Sequence, residues 1–520
     1  MIGGMNAPNS FRPAGSLPSD PLAPYAGPWN TRLAAHLLRR AGFGGSPDDV
    51  TRLAGLSMNG AVDSLVHFPP TDLPTQPEIP DEGYAAEAQM MQRGLAAGAG
   101  VADGNSILVP AAMAGSAAQA SSAQSDAQIE QLKDERRMAR RAANIAIMTW
   151  WLERMLKTPA PLQEKLTLFW HGHFTTAEGA KGVTAQDAVN QNNLYRSNAL
   201  GNIRDLAQAV SRDPAMLKYL DNARSVKAHP NENYARELME LFTLGIGNYT
   251  EQDVRESARA FTGWTVRHPL RGGGFYENAA QHDDGLKTFL GHTGDLDGND
   301  IVTIIFEQPA CSKWFANKLL NFFVYNDPEP ELIDAVAGSL VKNDFELAPV
   351  LSMLLRSDVF YSDRAYRALV KSPVEFVIGS YQLYGIETIE PQTLGVLNRM
   401  GQAIFHPPSV KGWDGGIAWL NSQTLLTREN FASALMASQQ MVSRDSWLSD
   451  GVPANARAAV DKLVGTILYG DASAAAVAQV QAYLDGSGTS ALGTLSPENF
   501  EERMRGGAYL TMAMPAYQLA

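Results

Sequence analysis

The sequence contains a single cysteine, Cys311, among its 520 residues. One thiol excludes an intramolecular disulfide and any metal site that needs several thiolates. No stretch approaches the roughly 20 apolar residues of a membrane span. Residues 1–29 are rich in Pro, Gly, Ser and Ala and lack a basic end followed by an apolar run, so no export signal is visible. These absences predict a soluble protein without a membrane span, cytoplasmic by default.

Sequence motifs of several enzyme classes are also missing. The chain has no Gly-x-Ser-x-Gly elbow, no Gly-rich phosphate loop ending in Lys and Ser or Thr, no dinucleotide fingerprint and no His-Glu-x-x-His helix. Hydride transfer and nucleotide hydrolysis are therefore disfavoured. The net charge of −13 argues against nucleic acid as a partner, because proteins that bind it usually carry a basic face that neutralises phosphates.

One short basic cluster stands out against this acidic background: Arg136, Arg137, Arg140 and Arg141. Acidic residues stand beside these arginines on the same predicted helix. Charges of both signs on one helix are typical of a face in contact with water, so we favour a solvated helix face over a phosphate site.

Helical periodicity is the main structural signal that is present. From Arg32 to Arg40 the apolar residues recur at helical spacing, and Gly42 and Gly44 end the run. Ser46 and the Pro-Asp-Asp after it supply the cap, the rigid first turn and the negative charges that begin a second helix. Further helices are predicted at 127–170, 186–198, 202–211, 213–220, 231–244, 250–262, 309–324, 331–342, 346–356, 371–384, 391–402, 426–440, 456–468 and 472–484.

The fold class follows from these helices. Strand-like alternation is scarce, and the sequence shows no repeat of fixed period. We therefore predict a mainly α protein with an irregular multihelical globular fold, and at most a short hairpin in the loop region 264–308. The composition, 45% hydrophobic and 19% charged, is that of an ordinary globular protein.

The chain is predicted to have three parts. Residues 1–30 form a disordered or extended N-terminal segment, 31–445 the main helical domain and 446–520 a C-terminal helical appendage. Prolines, and then Ala, Gly and Ser, crowd residues 70–125. This composition predicts a low-complexity insertion in the main domain, because it buries too little apolar surface to offset the entropy of ordering.

The first candidate site is Trp170-His171-Gly172-His173. Two imidazoles one residue apart point about 200° from each other on a helix. Gly172 frees the backbone, so a helix end followed by an extended residue would aim both rings at one point, and a His-x-His pair is a frequent half-site for a transition metal. Trp170 would keep water out. The alternative is structural: histidines at a helix C-terminus, or hydrogen-bonded in the core.

The second candidate is Glu237, on the predicted helix 231–244. Glu232, Arg236 and Glu240 are spaced four apart and form a plausible surface ion-pair ladder. Glu237 falls outside this ladder, about 70° from the centre of the apolar face, so its carboxylate is partly buried. Such a carboxylate needs a cation, a metal or several donors. It is either a metal ligand or acid/base group, or the structural partner of an arginine.

Two loops supply the remaining candidates. His282 and Asp283 lie in a Gly-bounded loop that offers nitrogen and oxygen donors, although turn chemistry with Asp as a cap is the favoured explanation. Lys411 and Trp413 lie in an irregular Pro- and Gly-rich segment. They would line a pocket for an anionic or sugar-like ligand, or belong to a rigid connection under the core.

Five blocks of the sequence, taken in order, resemble the bacterial DUF1800 family. They are 36–44 (HLLRRAGFG), 165–174 (KLTLFWHGHF), 231–245 (NENYARELMELFTLG), 260–264 (AFTGW) and 407–413 (PPSVKGW). The matching blocks extend over most of the chain. The resemblance implies no established activity and supplies no catalytic residues. Members of the family are often exported, so the resemblance implies an extracytoplasmic location that residues 1–29 do not support.

Two functional hypotheses follow. In the first, the protein is a metal-dependent hydrolase or oxidoreductase acting on a polymer or envelope-type substrate. His171 and His173 then bind a divalent transition metal, Glu237 is a third ligand or general base, and His282 with Asp283 is an auxiliary catalytic pair. In the second, it is a non-catalytic exported binding or assembly protein whose His, Glu and Trp residues lock helices together.

Overall fold

A computed structural model of the chain describes residues 20–68, 75–80, 118–267, 273–438, 453–486 and 499–520. Within them helices dominate, and the strands form two small antiparallel pairs. This confirms the predicted mainly α, irregular multihelical fold. Most of the predicted segment 1–30 and insertion 70–125 lies outside the described residues, although residues 118–125 already belong to a helix.

The N-terminal helices begin where the local signals place them. The Asn30 side chain caps the first helix by accepting from the Leu33 amide, 3.1 Å away. Ser46 and Asp49 form a capping box at the second helix, with Pro47 in its first turn. The predicted helix-glycine-helix opening is confirmed. The first three helices are α1 (Thr31–Ala41), α2 (Pro47–Ala54) and α3 (Met58–Val66).

The longest helix, α4, runs from Ala118 to Lys157, and Pro159 and Pro161 separate it from the next one. A capping box between Thr184 and Asp187 begins the helix after that. The helices of this part are α4 (Ala118–Lys157), α5 (Pro161–His173), α6 (Ala185–Ser197), α7 (Ile203–Ser211) and α8 (Pro214–Tyr219), followed by a 3-10 turn at Asn222–Arg224.

The predicted helix 231–244 has two geometries. It begins as α9 (Glu232–Glu237) and continues as a π-helix over Leu238–Thr243. After α10 (Glu251–Ala260) come the two strand pairs, within the region where a hairpin was predicted. They are β1 (Trp264–Val266) with β2 (Phe275–Glu277), and β3 (Lys287–Phe289) with β4 (His292–Gly294).

The rest of the described chain is helical. Several of these helices carry proline in the first turn, where its missing N–H costs nothing. They are α11 (Gly298–Glu307), α12 (Pro309–Phe323), α13 (Pro330–Lys342), α14 (Leu347–Leu354), α15 (Pro373–Leu383), α16 (Pro391–Arg399), α17 (Ser422–Ala437), α18 (Ala456–Leu468), α19 (Ala474–Asp485), α20 (Phe500–Met512) and α21 (Pro515–Gln518).

Helix α5 lies at the centre of the fold. The buried apolar side chains form two groups, one built mainly from α1–α3 and α6–α14, the other mainly from α4 and α15–α21. Leu166 and Trp170 of α5 belong to the first group, and Leu168 belongs to the second. Every residue of α5 except Pro161 and Gly172 is buried. The helix is therefore in contact with protein on all sides.

A buried carboxylate on α5 accepts hydrogen bonds from the helix before it, α4, and from the helix after it, α6. Glu164 has no exposed surface, and it accepts hydrogen bonds from Arg196 Nε of α6 at 2.6 Å and from Trp151 Nε1 of α4 at 3.1 Å. Arg154 Nε of α4 donates at 3.1 Å. These bonds offset the cost of taking the charge out of water, and they join α4, α5 and α6.

The next residue of α5 makes a second buried ion pair. Lys165 pairs with Glu375, which also closes the capping box of α15 with Ser372. The Lys165 ammonium donates to the Gly42 carbonyl at 2.9 Å, at the end of α1. Burial lowers the pKa of Lys165, and the neighbouring Glu375 opposes that shift. Helix α5 is thereby tied to α1 and α15 as well.

No helix in the described ranges is both long enough and apolar enough to cross a membrane. The 40 residues of α4 would suffice in length, but they include many charged side chains.

Replacing Glu164 by glutamine should destabilise the protein by roughly 3–5 kcal/mol, because it leaves the buried Arg196 without its counter-charge. The exposed pair Arg457–Asp461 offers a matched control, and Arg457→Ala should cost less than about 1 kcal/mol. Denaturant unfolding followed by circular dichroism measures both changes. Equal losses in the two variants would contradict the assigned role of Glu164.

Candidate functional site

The Trp-His-Gly-His segment forms the last turn of α5. The helix continues through His173, and the Phe174 amide donates to the Trp170 carbonyl at 2.8 Å. The predicted turn at Gly172 is therefore wrong. Gly412, with φ +85°, packs against this turn so closely that a Cβ there would lie 2.5 Å from the Gly172 carbonyl oxygen. The glycine required by close approach is Gly412.

His171 is buried and hydrogen-bonded to the main chain of a distant loop. The Phe405 amide donates to His171 Nε2 at 3.2 Å. Rings of Trp151, Phe405 and Trp413 surround the imidazole, with centroids 5.2 to 5.6 Å away. Because Nε2 accepts this hydrogen bond, its lone pair is used and the ring proton is assigned to Nδ1. Burial, with a smaller contribution from His406, lowers the pKa of His171 to about 3.

His173 points to another part of the fold. Its Nε2 donates to the Phe242 carbonyl at 2.9 Å, in the π-helix, where helix-end carbonyls have no partner of their own. The rings of Phe174 and Phe315 lie 4.6 and 5.3 Å from the imidazole. Burial lowers the pKa of His173 to about 3. The two histidines are therefore neutral and bound to different segments.

Glu237 does not join the histidines. It is half-buried at the end of α9, as helical spacing indicates, and burial followed by the charge of Glu240 raises its pKa. Of the predicted surface ladder, Arg236 pairs with Glu232 at 3.2 Å and with Glu251 at 2.7 Å. Throughout the described ranges, no three His, Cys, Asp or Glu side chains form a group that could hold a metal ion. The structure therefore does not bring His171, His173 and Glu237 together.

The loop pair His282 and Asp283 anchors a surface loop to α10. His282 Nδ1 donates to the Thr262 carbonyl at 2.9 Å. The Asp283 carboxylate accepts from Arg259 Nε at 2.8 Å and Nη2 at 3.1 Å. The hydrogen bonds from Arg259 hold the pKa of Asp283 below its usual value. Both groups thus have structural partners.

The three residues predicted to bind a ligand occupy different environments. Trp170 is 1% exposed, and its Nε1 donates to the Ala199 carbonyl at 3.2 Å, so it lies in the core. Lys411 is exposed and pairs with Asp414 at 3.2 Å. Trp413 is half-buried against the ring of His171. The structure does not gather them into one pocket.

A concave site that the sequence reasoning missed lies between α4 and α16. It is an open groove of about 920 Å³, here called the basic groove. Its cationic lining residues are Lys133, Arg136, Arg137, Arg140, Arg141 and Arg399. The arginines of α4 are exposed, as predicted for a solvated face, and the same face also forms one wall of the groove. The regular spacing of the arginines along α4 was the sequence signal that could have indicated this site. The local sequence does not show that α16 forms the opposite wall.

Three of the other polar side chains in the lining of the basic groove contact each other. Asn144 Nδ2 donates to Glu178 Oε2 at 2.7 Å, and it also contacts His406 Nε2. His406 Nε2 lies 3.7 Å from Glu178 Oε2. The Glu178 side chain is 6% exposed and that of His406 is 32% exposed. Burial raises the pKa of Glu178 and lowers that of His406, so both shifts favour neutral groups.

The histidine motif and the basic groove meet at Phe405. This residue has φ +63°, a conformation that costs roughly 1–3 kcal/mol for a bulky side chain. Its amide donates to His171, and its carbonyl accepts from the Glu178 amide at 2.9 Å. The strained residue is thus held on both sides. His171 thereby positions the neighbouring His406 at the groove.

His171→Gln should make the protein less sensitive to acid. Because burial lowers the pKa of His171 to about 3 from 6.5, only the unfolded chain binds this proton between those values. The stability that the neutral ring contributes is complete above pH 6.5 and declines toward pH 3, by roughly 1.4 kcal/mol per pH unit. Between about pH 6 and 4, the melting temperature of the variant should fall less steeply than that of the wild type.

The exposed His229 provides the control for this measurement. His229→Gln removes an imidazole on the surface instead of one in the core, and the variant should keep the slope of the wild type. An unchanged slope in His171→Gln would contradict a buried neutral His171.

Comparison with known proteins identifies a family and nothing narrower. A family model described as a protein of unknown function, DUF1800, matches residues 36–519. The comparisons with curated proteins and with solved structures give no match. The matched range includes the histidine motif, Glu237 and every residue of the basic groove. The chain therefore belongs to the DUF1800 family.

Proposed function

We propose that this chain is a binding protein whose ligand site is the basic groove, and that the Trp-His-Gly-His segment is a structural element that shapes this site. The proposal is carried by two hydrogen bonds that hold Phe405. The Phe405 amide donates to His171, and the Phe405 carbonyl accepts from the Glu178 amide. A strained backbone persists only where its surroundings hold it, and such residues cluster at functional sites.

The size and chemistry of the basic groove support binding. A volume of about 920 Å³ lies within the range of sites for small molecules, and the lining combines charged groups with the apolar side chains of Ile145, Met148 and Leu394. The histidines of α5, by contrast, are buried and already bonded to the main chain. A ligand therefore has access to the groove, whereas the histidines are enclosed in the core.

The geometry gives less support to a metal-dependent hydrolase or oxidoreductase acting on a polymer or envelope-type substrate. Such an enzyme would need His171, His173 and Glu237 to converge about 2 Å from one point. The lone pair of His171 Nε2 instead accepts from Phe405, and an Nδ1 that carries the proton cannot bind a metal. Glu237 stays in this hypothesis as a half-buried carboxylate without a ligand partner.

Metal analysis and hydrogen exchange together test the proposed role of His171. We expect purified protein to carry far less than one transition-metal ion per chain. In His171→Ala the Phe405 amide should exchange faster, because it loses its acceptor, and the protein should be roughly 2–4 kcal/mol less stable. Mass spectrometry of the 405–413 peptide and thermal melting measure these effects.

His229→Ala is the matched control, because this histidine is exposed and far from the loop in sequence. It should change neither the exchange of the Phe405 amide nor the melting temperature. A stoichiometric transition metal that is lost in His171→Ala while the fold and the exchange pattern stay intact would overturn the structural role and restore the metal-enzyme hypothesis.

A further inference from the structure

The basic groove concentrates positive charge on a chain that is acidic overall. The net charge of the protein is −13. Six cationic side chains line the groove, five on α4 and one at the end of α16, and the lining includes one carboxylate, Glu178. Glu178 is nearly buried and hydrogen-bonded to Asn144, and burial favours its neutral form. The groove is therefore a local site of positive potential.

The spacing of these cations suits an extended anion. Lys133, Arg137 and Arg141 follow each other at four-residue intervals, slightly more than one helical turn or about 6 Å of rise each time. Arg136 and Arg140 form a second row beside the first. Guanidinium groups bind phosphate and carboxylate oxygens in pairs of parallel hydrogen bonds, so two rows can engage several anionic groups at once.

Arg137 and Arg140 have partners that compete only weakly with a ligand. Arg137 pairs with Asp134 on the exposed face of α4 at 3.1 Å, and Arg140 donates to the Gly179 carbonyl at 3.3 Å. Exposed pairs of this kind contribute little stability. Within the described residues, Arg141 and Arg399 have no ion-pair or hydrogen-bond partner. These two arginines stand on opposite walls of the groove.

The groove also has an apolar part. Ile145 is 40% exposed although it is a large hydrophobic residue, and Met148 and Leu394 lie beside it in the lining. A simple inorganic anion would leave this surface uncovered. A ligand that carries its charges on a carbon skeleton would cover it and gain from the burial.

We propose that the basic groove binds a small organic polyanion, a molecule with several phosphate or carboxylate groups on a partly apolar skeleton. The arginines of α4 and Arg399 of α16 hold the anionic groups from the two walls. Asn144 and His406 contact the ligand at one end, and Ile145 and Leu394 contact its skeleton. This assignment rests on the proposed function, because it names the ligand class of the same groove.

Titration calorimetry of the full chain at low ionic strength tests the assignment with two probes. Inositol hexakisphosphate presents phosphates and benzenehexacarboxylate presents carboxylates. We expect at least one of them to bind, and the tighter one identifies the anionic group. Arg141→Ala/Arg399→Ala should weaken that binding by on the order of 100-fold, about tenfold for each charged hydrogen-bonding partner removed. Added salt should weaken it further, because salt screens exposed charges.

The control is Arg255→Ala/Arg457→Ala, which removes the same charge from two exposed positions outside the groove. It should leave binding within about twofold of wild type. Thermal melting establishes that both double variants are folded. Failure of both probes to bind, or an equal loss of binding in the two double variants, would overturn the polyanion site. Neither result depends on metal content or on exchange of the Phe405 amide, so the proposed role of His171 is judged separately.

Discussion

The arrangement of helices depends on the buried charge of Glu164. A carboxylate without contact to water is stable only where cations and donors surround it. Arg196 from α6 and Trp151 from α4 provide these donors at 2.6 and 3.1 Å. Bonds this short leave α5 little freedom to rotate between its neighbours. The direction of each side chain along α5 follows from that one constraint, including the directions of His171 and His173.

Those two directions explain what the histidine pair does. Two residues apart on a helix, the rings point about 200° from each other. His171 therefore faces Trp151 and Phe405, which belong to one apolar group of the core, and His173 faces Phe315, which belongs to the other. Each ring is neutral and each bonds to main chain. The pair joins the two halves of the core across α5, an arrangement that differs from the converging pair of a metal site.

Local signals predicted the helices, and tertiary contacts decided the site. The start of α2 is encoded in Ser46 and the residues beside it, so the sequence alone suffices there. The half-burial of Glu237 also follows from helical spacing. The packing of Gly412 against the last turn of α5 does not follow from local sequence, because the two segments are some 240 residues apart. The basic groove likewise needs α16 opposite α4. Periodicity identifies the charged face of α4 but carries no information about what lies across from it.

The basic groove also shows why net charge is a poor guide to the ligand of a folded protein. Charges on exposed surface interact over about 10 Å at 0.1 M salt, so most of the acidic groups behind the total of −13 have little effect inside the groove. Six cations around a volume of about 920 Å³ dominate the local potential. Burial raises the pKa of Glu178, the one carboxylate in the lining, and so weakens its preference for the charged form. A chain that is acidic overall can therefore attract an anion at one site. The fold must bring several cations together at that site and bury the carboxylate that lies beside them.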